Sequence, residues 1–176
     1  MQKKTINILQ KFFKKSAIFR YAFTFNSAYK RSTGKVYYVS DDLQTVRVKI
    51  PLSYRNRNYV GTLFGGAMTS ATDPIYMIQL ISILGDEYVV WDKAASIQFK
   101  RPGNQTLYAE FHVSDALIET IKADINAHNE ATYTLRVDLT DKKGVVYAEI
   151  ERTIYIASKA YYKSKKLKQK SSEHNV

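Results

Sequence analysis

Between Tyr59 and Gly85 the chain reads YVGTLFGGAMTSATDPIYMIQLISILG, apolar on every side, with Asp73 its only charged residue. A helix without a polar face has to be enclosed all round, by protein or by lipid. A lipid span calls for about 20 uninterrupted apolar residues. Here Asp73-Pro74 interrupts the run near its middle, and Gly61, Gly65 and Gly66 crowd its start. The segment therefore predicts one long helix buried in a protein core and terminated at Gly85. Its first half is built largely of small residues (Gly65, Gly66, Ala67, Thr69, Ser70, Ala71), which lets neighbouring backbones approach closely.

The flanks change period from helical to two. Residues 36–39 and 46–50 read as two strands joined around Asp41-Asp42, the second ended by Pro51. Residues 88–100 form a further strand, stopped by Arg101-Pro102-Gly103-Asn104. Residues 107–113 form the next, and 115–128 read as a short helix or an irregular crossover, with Ile118, Ile121 and Ile125 supporting the helix. Residues 132–139 and 145–156 then pair across Asp141-Lys142-Lys143-Gly144, with clear alternation at Ala148, Ile150, Arg152, Ile154 and Ile156. A sheet that must cover every face of one helix has to curl around it. The expectation is an α+β domain, a curled antiparallel sheet wrapped around one long buried helix.

The net charge of +11 belongs to the ends. Residues 1–40 carry nine Lys/Arg and no acid, residues 159–176 six Lys and one Glu, and the middle twelve bases against fifteen acids. The organisation expected is a basic N-terminal arm over 1–32, a domain over 33–158 and a frayed Lys-rich tail over 159–176. Within the arm, Thr5 to about Phe25 reads as an amphipathic helix, with Leu9, Phe12, Phe13, Phe19 and Phe23 on its apolar side. That side packs on the domain or lies on a bilayer. Terminal charge of this kind suits solvation, an anionic membrane surface or a polyanion. The absence of cysteine excludes a disulfide scaffold and a thiolate nucleophile or zinc site. His112, His128 and His174 share no metal-ligand spacing, so neither a metal nor a redox cofactor is implied.

These residues resemble the hot-dog-fold thioesterases, in particular the acyl-CoA branch found in phenylacetate degradation. That branch shows an Asn, a Gly three residues later, then His-Gly-Gly, then an acidic residue seven positions after the second Gly. Asn58, Gly61, Phe64-Gly65-Gly66 and Asp73 keep each spacing, and Lys100-Arg101-Pro102 is similar to the family's strand end. The resemblance covers about residues 33–158. The version with Phe64 in place of His and with Asp73-Pro74 is similar to an uncharacterised thioesterase-like bacterial branch.

The resemblance implies a cytoplasmic homodimer or tetramer that hydrolyses an acyl-CoA, with coenzyme A entering only as part of the substrate and no nucleic acid as partner. Asp73 would be nucleophile or general base, and its burial would raise its pKa unless donors compensate. Gly65 and Gly66 would offer free helix N-terminal amides to the oxyanion, and Asn58 would hold the carbonyl or orient water. Asp92 and Lys93 stand where some relatives place a polar residue against the site, or form an exposed ion pair. Lys100 and Arg101 would meet the phosphates of coenzyme A, or are solvated strand-end charges. Phe64 for His and Pro74 after Asp73 keep open a non-catalytic acyl-CoA or fatty-acyl binding protein on the same fold. The basic arms keep open a peripheral contact with a membrane surface.

Overall fold

The computed structural model describes residues 13–173. In chain order it holds α1 (Lys15–Phe25), α2 (Ser27–Arg31), β1 (Lys35–Val39), β2 (Thr45–Ile50), α3 (Gly65–Thr72), α4 (Ile75–Leu84), β3 (Tyr88–Phe99), β4 (Leu107–His112), α5 (Asp115–His128), β5 (Glu130–Thr140), β6 (Val146–Ser158) and α6 (Lys159–Glu173). The six strands make one antiparallel sheet in the order β1-β2-β4-β5-β6-β3.

Alternation decides which face of that sheet is closed. Val46, Val48 and Ile50 on β2, Leu107, Ala109 and Phe111 on β4, and Ala148, Ile150, Ile154 and Ile156 on β6 are all buried. In register, Val46 lies opposite Phe111 and Ile150 opposite Val137, so the apolar rows line up across strands. Met68, Ala71, Ile75, Tyr76 and Leu80 of α3 and α4 belong to the same core. This is the expected α+β hot-dog arrangement, a curled sheet with helix packed against it.

Two local expectations are corrected. The central helix is not continuous: α3 ends at Thr72 and α4 starts at Ile75, with Asp73 and Pro74 between them. Pro74 has no N–H to donate and its ring crowds the carbonyl four residues back, so the first helix stops there. The Thr72 hydroxyl closes that last turn by donating to the Met68 and Thr69 carbonyls. The C-terminal segment is not frayed but helical from Lys159 to Glu173. Its docking point is the Glu130 carboxylate, which accepts from Tyr155 Oη (2.6 Å), Tyr161 Oη (3.1 Å) and Lys165 Nζ (2.6 Å).

The N-terminal helix packs on the domain. Its expected first turns, residues 5–12, with Leu9 and Phe12, lie outside the described residues. Phe13 is exposed, whereas Phe19 and Phe23 are buried, and Phe23 meets Tyr29 of α2 in an edge-to-face contact at 4.8 Å. Tyr29 Oη donates to the Ala71 carbonyl at 3.0 Å, tying the arm to α3. Residues 13–32 therefore share one core with the sheet. Among the described residues, no helix is long and apolar enough to cross a membrane.

Candidate active site

The break between α3 and α4 turns Asp73 outward, and its side chain is 58% exposed. The expectation of a buried Asp73 is corrected by that geometry. Arg152 Nη2 donates to Asp73 Oδ1 at 2.6 Å and forms an ion pair with Asp92 Oδ2 at 3.1 Å. Arg152 itself is 3% exposed, because it occupies the inward row of β6 between Ile150 and Ile154. One buried cation is thus shared by two carboxylates, a cluster with one net negative charge.

Asp92 is the carboxylate that burial perturbs. Burial pushes its carboxyl above the ordinary aspartate range, the Arg152 hydrogen bond and charge pull it back, and the Asp73 charge pushes it up again. Asp92 reaches the cluster at a β-bulge. It lies opposite Ile154 while Ala94 lies opposite Thr153, so Lys93 is the extra residue of β3. Lys93 is exposed there. Two buried polar atoms of the cluster, Asp92 Oδ1 and Arg152 Nε, have no hydrogen-bond partner among the described residues.

The glycines sit at the other end of α3. Phe64, in extended conformation, precedes the first turn, and no acceptor takes the Gly65 or Gly66 N–H among the described residues. A Cβ on Gly65 would come 2.7 Å from the Phe99 ring, and one on Gly66 would overlap the ring of Phe64. Both rings are exposed on their outer sides. A side chain at either position would have to displace one of these exposed rings, and the two free amides lie beside two aromatic surfaces.

The loop before the helix is locked by asparagines. Asn56 is buried and uses its whole side chain: Oδ1 accepts from Ser53 N and Oγ, and Nδ2 donates to the Pro51 carbonyl and to Thr33 Oγ1. Its carbonyl then accepts Phe64 N at 2.8 Å, which fixes the start of α3. Asn58 Oδ1 accepts from Val60 N and Thr62 N, and its Nδ2 donates to Thr62 Oγ1. Its polar atoms thus hold the turn that delivers the glycines. Lys100 pairs with Glu149 at 3.0 Å, and Arg101 donates to the Val146 carbonyl at 2.6 Å. Both cations of the strand end are engaged by β6 or its approach.

The structure brings Asp73 and Asp92 together and gathers Phe64, Gly65 and Gly66 at the helix start. It keeps these two groups apart, eight residues from Gly65 to Asp73 or about 12 Å along a helix. Arg152, which joins the carboxylates, is the member of the candidate site that motif spacing missed. Its signal was the charged residue in the inward register of the β6 alternation.

The same fold occurs in solved proteins. Pseudomonas aeruginosa PA5026, a protein of unknown function described as a probable thioesterase, is similar at a TM-score of 0.71 and 21% identity, over 81% of this chain and 95% of that one. The thioesterase HI1161 of Haemophilus influenzae is similar at 0.57 and 13%, over 78% and 87%. A point mutant of the Pseudomonas aeruginosa thioesterase PA1618 is similar at 0.60 and 13%, over 84% and 97%. No curated protein matches the sequence. The family described as "Domain of unknown function (DUF4442)" matches residues 15–156, from the first described helix to the last core position of β6, and the chain belongs to that family.

Proposed function

We propose that this protein hydrolyses an acyl-CoA thioester at a site shared between two copies of the chain. The observation that carries the reading is Asp73, projected by the helix break and held at 2.6 Å by a buried Arg152. A carboxylate fixed on one oxygen keeps the other for water. In the reaction, Asp73 takes a proton from water as its oxygen adds to the acyl carbon. The developing oxyanion is met by the free Gly65 and Gly66 amides. The C–S bond then breaks, and the proton returns from Asp73 to the leaving sulfur.

Because one chain separates its amides from its carboxylate, a second copy is needed to bring the two groups to one thioester. The β3 edge supports that pairing. Of its twelve residues only Val90 is buried, and Lys93 to Ser96 are four consecutive exposed positions, so neither face of that stretch is covered. Two antiparallel copies related by a twofold axis would set Asp73 of one protomer near the glycines of the other.

Thiol release from short, long and aryl acyl-CoAs, with wild type and Asp73→Asn compared, tests the reading. Loss of about 10²–10⁴-fold in rate is expected for removal of a positioned general base. Equal rates in the two proteins would remove Asp73 from the chemistry. The Arg152 contact also favours a second reading, in which Asp73 is engaged by the ion pair and serves binding alone. In that case the site binds acyl-CoA without cleaving it, intact acyl-CoA co-purifies, and neither protein releases thiol.

A further inference from the structure

The N-terminal helix carries two aromatic rows, and the core uses one of them. Phe19 and Phe23 are buried. Tyr21 and Phe25, four residues apart, stack on each other at 6.2 Å in the open, Phe25 being 71% exposed. Cations frame that second row: the Arg20 guanidinium lies 5.4 Å from the Tyr21 ring and Lys30 Nζ 5.6 Å from the Phe25 ring. Residues 13–39 hold six Lys/Arg and no acid.

Lys30 also lines a cleft of about 740 Å³ between α1–α2, the β1–β2 pair and residues 51–55. Lys35, Lys49 and Arg55 complete its charge, and no carboxylate lines it. None of these four cations has an ion-pair partner among the described residues, whereas Arg47, Lys100, Arg136 and Lys165 are all paired. The cleft floor is apolar, with buried Phe23 and Tyr29, and Tyr54 stands exposed on its far lip.

We infer that the α1–α2 face is a docking surface for an anionic phospholipid bilayer, with Tyr21 and Phe25 entering the headgroup layer and the Lys30–Lys49 cleft taking a lipid phosphate. Exposed aromatic rings framed by cations match the charge and the polarity gradient of such an interface. An acidic protein would match the charge but leave the outer aromatic row without a reason. Docking of this kind does not depend on whether the site hydrolyses its ligand.

The test is co-sedimentation of the full chain with vesicles of phosphatidylcholine alone and of phosphatidylcholine mixed equally with phosphatidylglycerol. Wild type is expected on the mixed vesicles only. Tyr21→Ser with Phe25→Ser should lower partitioning about tenfold, and Lys30→Glu with Lys49→Glu about 30-fold or more. Lys142→Glu with Lys143→Glu changes the net charge equally in the exposed β5–β6 turn and should leave binding within about threefold. Three results would overturn the inference: no binding by wild type, full binding by the aromatic variant, or equal loss from both charge pairs. If the cleft variant misfolds by circular dichroism, the aromatic variant decides alone, since both its positions are exposed.

Discussion

The sheet has two edges, and the chain treats them differently. Beside β1 lies α1, which sets Phe19 and Phe23 into the core that also takes Val36. The β3 edge receives α6 only at its start, where Lys159 N donates to the Glu87 carbonyl, and from Trp91 onward it is largely open. An open strand edge presents unpaired N–H and C=O groups and invites another chain. The open edge is also where the helix break turns Asp73 outward and where Arg152 joins it to Asp92. Cover supplied by the chain itself makes one edge structural. Lack of cover leaves the other edge open, as the proposed pairing of two copies requires.

The covered edge should fail first when its packing is cut. Phe23→Ala is expected to destabilise the fold by about 3–5 kcal/mol, read as a lowered denaturant midpoint. At the open edge, Arg152→Met should destabilise by about 1–3 kcal/mol, because partly buried Asp92 is left without its hydrogen-bond donor. Adding Asp92→Asn to that variant should recover part of the loss, since the stranded charge is gone. Trp91→Lys with Ala94→Lys should leave the fold within about 0.5 kcal/mol, as exposed substitutions do, while sedimentation shows dissociation and thiol release falls with it. Were this last pair to unfold the chain as Phe23→Ala does, the distinction between the edges would not stand.

Legibility in the sequence follows the same division. Everything governed by period was readable: the alternation of β2, β4 and β6, the helix over 115–128, the hairpin around Asp141. The glycines of the Asn58–Asp73 spacing also read as a helix start, which is where α3 begins. What escaped depended on pairing in space. Pro74 was visible, but that it splits the helix and exposes Asp73 follows from the local backbone. Arg152 was visible in an apolar row, yet nothing local names its partners, Asp73 and Asp92, which lie on distant parts of the chain. The tail read as frayed because its Lys run has no apolar face of its own. It folds because Glu130, on a distant strand, collects Tyr155, Tyr161 and Lys165.

The smallest expected effect is also the one that separates the two carboxylates on either side of this boundary. Asp92, at the open part of the edge, has its folded pKa raised chiefly by burial. Its contribution to stability is present below the unfolded aspartate value, about 4, and is lost as pH rises through the folded value. Glu130, beneath α6, has its pKa lowered by hydrogen bonds from Lys165 and Tyr155. Its contribution is present above the unfolded glutamate value, about 4.3, and is lost as pH falls through the folded value. Denaturant midpoints across the acid range should therefore diverge with opposite sign. Relative to wild type, Asp92→Asn should improve as pH rises, and Glu130→Gln should worsen. Slopes of the same sign would mean that the Arg152 charge outweighs burial at Asp92, and that the open edge holds a settled ion pair of the kind found under α6 instead of a carboxylate kept under strain beside Asp73.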